Sequence, residues 1–207
     1  MIDVREGSEG TSPLDDDRLQ FFLKNHELIR TWAALADEVS TAVDEELRHL
    51  GGDVQVAATV AGLDLAVAER VAGESFRAPM LHRPTWRSPD ADGPDIAVGI
   101  GWDGRRVFPT GGWPGVSLPY VGVVASHDTD RGRRIEDAVR PLAIRELVDP
   151  RSYRKGSHWI AYRFLKCDDD WYSDLVRWRA WVVDEMIRAW RDCAPVIDRG
   201  LSSLSTS

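Results

Sequence analysis

The chain has 207 residues, 43% of them hydrophobic, with 34 acidic against 26 basic side chains and a formal net charge of -8. That length supports one self-sufficient core, and the acidic balance argues against non-specific binding to nucleic acid or an acidic membrane surface. No apolar stretch reaches the ~18 residues of a membrane span, and the acidic N-terminus MIDVREGSEGTSPLDDD has no apolar signal-peptide core, so a cytoplasmic location and no membrane partner are expected.

Residues 1–14 lack periodicity and are expected to be disordered. Asp15, Asp16 and Asp17 then favour a helix N-terminus. Apolar positions at Phe21, Leu28, Trp32, Leu35, Val39, Val43 and Leu50 hold one helical face, which Gly51-Gly52 is expected to end. Val54, Val56, Ala58 and Val60 alternate as in a strand, and 63–71 fits either a strand or a short helix. Pro79, Pro84 and Pro89 make the next segment an edge strand or a loop.

The clearest strand follows. Ile96, Val98, Ile100 and Trp102 form a bulky face, while Ala97, Gly99 and Gly101 leave the other face nearly bare, so a packed helix or a ligand must approach it. A Gly/Pro-rich connection containing Trp113 leads to a second strand over 120–126. A helix is expected from Arg133, with Pro141 forcing a break or a fresh start. A strand over 158–166, a helix over 169–193 striped with Trp171, Trp178, Trp181 and Trp190, and a disordered tail over 201–207 complete the reading.

The expected fold class is α+β: a single domain over 15–200, with a mixed or antiparallel sheet of about four to five strands between a long N-terminal helix and a Trp-rich C-terminal helix. Cys167 and Cys193 belong to no C-x-x-C or Cys/His cluster, which points to buried apolar roles rather than a disulfide or structural zinc. No phosphate-binding loop and no G-x-S-x-G elbow is present.

Nine tryptophans stand out. Trp86 and Trp113, in irregular segments, are candidate binding residues that could stack a ring or fill a partner's pocket, with Tyr120 beside the bare glycine face. A stretch containing Arg151, Tyr153, Arg154, Lys155, His158 and Trp159, together with Arg131, Arg133 and Arg134, offers a local basic patch. Arg154 and Lys155 would make its phosphate contacts.

If the strands at 96–102 and 120–126 pair antiparallel, Asp95 falls near His127, Asp128 and Asp130. These are the candidate catalytic residues, and Asp95, Asp128 and Asp130 would be ligands for Mg²⁺ or Mn²⁺. Asp103 lies at the opposite strand end. A helix before a sheet with a central hairpin and acidic strand ends loosely resembles the restriction-endonuclease-like nucleases over about 20–166. Pro94-Asp95 matches the first half of that superfamily's signature. The second half, Asp/Glu-x-Lys, is replaced by Val123-Val124-Ala125-Ser126, so the resemblance implies a degenerate member. Three functions are thus expected in order: a non-catalytic module acting through protein partners with no cofactor, a metal-dependent phosphodiesterase or nuclease, and a small-molecule sensor.

Overall fold

Helical spacing in the N-terminal third extends further than the glycines suggest. The computed structural model describes residues 16–102, 119–166 and 174–204, and its first helix, α1, runs over Asp17–Val60. The chain forms two compact units, residues 1–39 and 40–207. In the first, the described residues are one turn-regular helix whose large apolar side chains, Trp32 among them, are exposed rather than packed.

In the second unit the rest of α1 buries Val43, Leu47, Leu50, Val54 and Ala58 at helical intervals. The strand expected over 54–60 is therefore helix. Val54 and Ala58 belong to both a period of two and a period of four, and the exposure of Val56 (64%) and Val60 (85%) shows which one the fold uses. Gly51 and Gly52 sit inside the helix with negative φ. Its stop is Gly62, at φ +65°, where Leu63 N–H donates to Ala58 O and Gly62 N–H to Thr59 O, the paired bonds of a Schellman cap.

Among the described residues the sheet has six strands: β1 (Ala66–Ala68), β2 (Met80–His82), β3 (Ile96–Gly101), β4 (Tyr120–Ala125), β5 (Arg154–Lys155) and β6 (Trp159–Phe164). They lie in the order β1-β2-β3-β4-β6-β5, every neighbouring pair antiparallel. β2 is thus interior, not an edge. Its Pro79 precedes the first paired residue and so costs no ladder bond.

On the bare face of β3, the volume a Cβ on Gly99 would need is taken by the Met80 sulfur, and that on Gly101 by the Tyr120 ring. Long side chains of the neighbouring strands close these two gaps.

Helix α2 spans Asp130–Glu146, with Thr129 as N-cap accepting from Gly132 N–H. Pro141 lies within it at an exposed position without ending it. Helix α3, Leu175–Leu204, starts at Asp174, whose Oδ1 accepts from Arg177 N–H. It carries Pro195 and continues to 204, so the first part of the expected disordered tail is helical. α2 and α3 pack on each other and on the sheet, burying Ile135, Val139, Trp178, Met186, Trp190 and Ile197. Trp171 and Cys167 lie outside the described residues. No helix among the described residues is long and apolar enough to cross a membrane.

Candidate metal centre

The antiparallel β3–β4 register, Ile96 opposite Ala125, brings Asp95 beside the segment after β4, and Ser126 N–H donates to Asp95 O at 2.8 Å. The carboxylate itself is fully buried and already engaged. Oδ2 accepts from Ser88 N–H at 2.8 Å, Ser88 Oγ at 2.8 Å and Arg131 Nη1 at 3.1 Å, and Oδ1 from Thr129 Oγ1 at 3.3 Å. This set of donors anchors the 83–88 turn and the start of α2. Asp130 is exposed and paired with Arg133, and Asp128 is exposed against Gly73. Asp95, Asp128 and Asp130 do not come together as one ligand set.

A different group does. Oxygen or nitrogen atoms of Glu74, His127 and His158 all lie within 4.8 Å of one another. Ligands around one zinc ion, at about 2.0–2.2 Å each, would be about 3.4 Å apart.

Three connections supply these residues, and each is pinned. The loop carrying Glu74 is tied by Ala72 N–H to Pro94 O at 2.9 Å, by Gly73 N–H to Asp92 Oδ1 at 3.2 Å and by buried Ser126 Oγ to Ala72 O at 2.6 Å. Gly73 has φ +77°, and a Cβ there would lie 2.6 Å from Asp128 Cβ, so only glycine lets the loop sit against the His127–Asp128 segment. His127 follows β4, and His158 precedes β6, the antiparallel neighbour of β4, so the two imidazoles share one end of the sheet. Their ring centroids are 4.8 Å apart.

The surrounding groups orient the ligands. His127 Nδ1 lies 3.2 Å from Glu136 Oε2 and Nε2 lies 3.3 Å from the His158 carbonyl oxygen, so the ring is held between two acceptors, and Nε2 would have to exchange its carbonyl contact for an ion. Glu136 is held in turn by Arg140, whose Nε donates to Oε1 at 3.1 Å. The same guanidinium donates to Gly156 O at 2.7 Å and Ser157 O at 3.2 Å, the backbone just before His158. Glu74 is mostly buried, His127 is one-third exposed and His158 half exposed, so the cluster has an open side. Two imidazoles and one carboxylate suit a divalent transition ion, and three ligands leave a coordination position for water or substrate.

Of the residues marked out from the sequence, His127 belongs to the cluster. Glu74 carried no signal, and His158 was legible only as part of a basic stretch. Trp86 is fully buried, stacked on Trp190 with centroids 5.1 Å apart, and its Nε1 donates to Asp198 Oδ1 at 2.9 Å. It is a plug between its turn and α3 and cannot serve as an exposed binding aromatic. Trp113 and Asp103 lie outside the described residues. Tyr120 packs edge-on against Trp159, Tyr162 and Phe164.

Arg154 and Lys155 are exposed on β5, Arg154 lying over the Phe164 ring. Elsewhere in the basic stretch, Tyr153 is buried and Arg151 is paired with Asp192. Burial pushes the Cys193 thiol up to about 12, which removes it as a nucleophile. Comparison of the chain with protein-family models, with curated proteins and with solved structures found no match in any of the three.

Proposed function

We propose that this protein is a metal-dependent hydrolase of phosphodiesters, with a divalent transition ion, zinc in the first instance, held by Glu74, His127 and His158. The convergence of these three side chains at one sheet end carries the reading. A bound divalent ion would supply Lewis acidity and an activated water. Glu136 keeps His127 oriented through its contact with Nδ1, and Arg140 holds Glu136 and the turn that bears His158. A phosphodiester is favoured as substrate because cationic groups adjoin the ligands in the chain: Arg154 and Lys155 stand just before His158, and Arg133 donates to the His127 carbonyl. The protein-partner reading rested on irregular-segment tryptophans, and the burial of Trp86 removes half of its basis.

Titration calorimetry with Zn²⁺ and Mn²⁺, combined with assays on bis(p-nitrophenyl) phosphate and on single- and double-stranded DNA and RNA, tests this function. Expected are one ion per chain and metal-dependent cleavage, both lost in His127→Ala and His158→Ala. Absence of ion binding, or binding that survives both substitutions, refutes the site. Binding without cleavage of any of these substrates refutes the hydrolase.

A further inference from the structure

Between residues 17 and 39, α1 presents an apolar row to solvent. Phe21 and Trp32 are each 64% exposed, Leu28 50% and Leu35 54%, and Val39 continues the row. The spacing 21, 25, 28, 32, 35, 39 alternates four and three, which is the seam of a two-helix coiled coil with Asn25 as its one polar member. Asn25 Nδ2 donates to Phe21 O at 2.8 Å, so the helix itself partly satisfies that amide. A contiguous row of large side chains at this exposure marks an association surface.

We propose that two copies of this chain associate through residues 17–39 of α1, packed antiparallel about a two-fold axis near residue 30. The seam is self-complementary in that direction. Phe21 meets the partner's Val39, Leu28 meets the partner's Trp32, and Asn25 meets the partner's Leu35, an isologous contact about 35 Å long. Charge selects the direction. Lys24 and Glu38 flank the seam on the same side, one heptad either way from Thr31. In the antiparallel pair Lys24 faces the partner's Glu38 at both ends, and the two Thr31 side chains meet at the axis. In a parallel pair Lys24 would face the partner's Ile29, and Trp32 would oppose its own copy in one layer.

Sedimentation equilibrium on the full chain is the test. A dimer of twice 23.2 kDa is expected. Lys24→Glu and Glu38→Lys should each weaken it about tenfold by setting like charges opposite one another, and the two together should restore it. Leu28→Asp should give a monomer whose thermal melting and circular dichroism otherwise match the parent. A chain that stays monomeric at about 100 µM overturns the proposal. So does a double charge reversal that fails to restore association, or a Leu28→Asp variant that remains dimeric.

Discussion

Replacing Asp95 by alanine removes a carboxylate that four donors share, and the cost can be built from what each donor loses. Ser88 N–H and Ser88 Oγ give it two short bonds of 2.8 Å. Hydrogen bonds to a charged group are each worth about 1.5–3 kcal/mol net. The serine hydroxyl can turn to another acceptor, so only its N–H is left with the full loss. Arg131 is 37% exposed and rehydrates, which places this pair below the ~3–5 kcal/mol of a fully buried ion pair broken on one side. Thr129 keeps its capping role for Gly132 and contributes least.

The total is about 3 kcal/mol, a fall in melting temperature of roughly 6–12 °C for a domain of this size. Asp95→Asn retains an acceptor for Ser88 and should lose about half as much. Differential scanning calorimetry measures both, and Zn²⁺ titration of the same variants should show unchanged affinity. A loss below about 1 kcal/mol, or a collapse of metal binding, would show that Asp95 is a ligand rather than an anchor.

Glu136→Gln should lower Zn²⁺ affinity by about 10–100-fold while leaving the fold intact, because it weakens the acceptor that orients His127; competition with a chromogenic chelator reads this directly. Arg163 and Glu185 form an ion pair at 2.6 Å with side chains 18% and 7% exposed, and Arg188 still donates to Glu185 Oε1, so Arg163→Met alone should cost about 2 kcal/mol in urea unfolding, below the ~3–5 kcal/mol of a fully orphaned buried charge. Removing both charges should recover much of that loss. Burial, with Arg87 adding to it, holds the His82 imidazole below its ordinary value of 6.5, so the unfolded chain takes up this proton first. Stability should be indifferent to this group above about pH 6.5 and decline below it, and His82→Gln should flatten the acid limb of melting temperature against pH.

How far these features were readable depends on how local their causes are. Residues 96–102 were legible as a strand because bulky and small side chains alternate, and 120–126 because they form a short apolar run, and the antiparallel pairing of the two sets Asp95 beside the segment after β4. The segment 54–60 misled because valines at every second position also place Val54 and Ala58 four apart. Only packing against the rest of the core selects the helix. Trp86 read as a loop aromatic because prolines surround it, but its burial depends on Trp190 and Asp198, more than a hundred positions away.

The grouping of Glu74, His127 and His158 lay beyond reach for the same reason. Glu74, His127 and His158 come from three connections with no fixed spacing. What assembles them is the β4–β6 pairing, with its register shift at Val123/Val124, and the Ser126 bond to the 72–74 loop. The trace that existed was two histidines flanking predicted strands, at ends that coincide once those strands are set side by side.

Arg140 gives this site a thermodynamic character of its own. One guanidinium spans the carboxylate that aims His127 and two carbonyls of the turn that presents His158. The freedom of both arms is therefore surrendered when the chain folds, and an arriving ion has little ordering left to impose. Capture should show a small unfavourable conformational entropy and a fast, nearly single-step association. Loosening the clamp would slow capture and broaden the ion's residence times before it changed the identity of a single ligand.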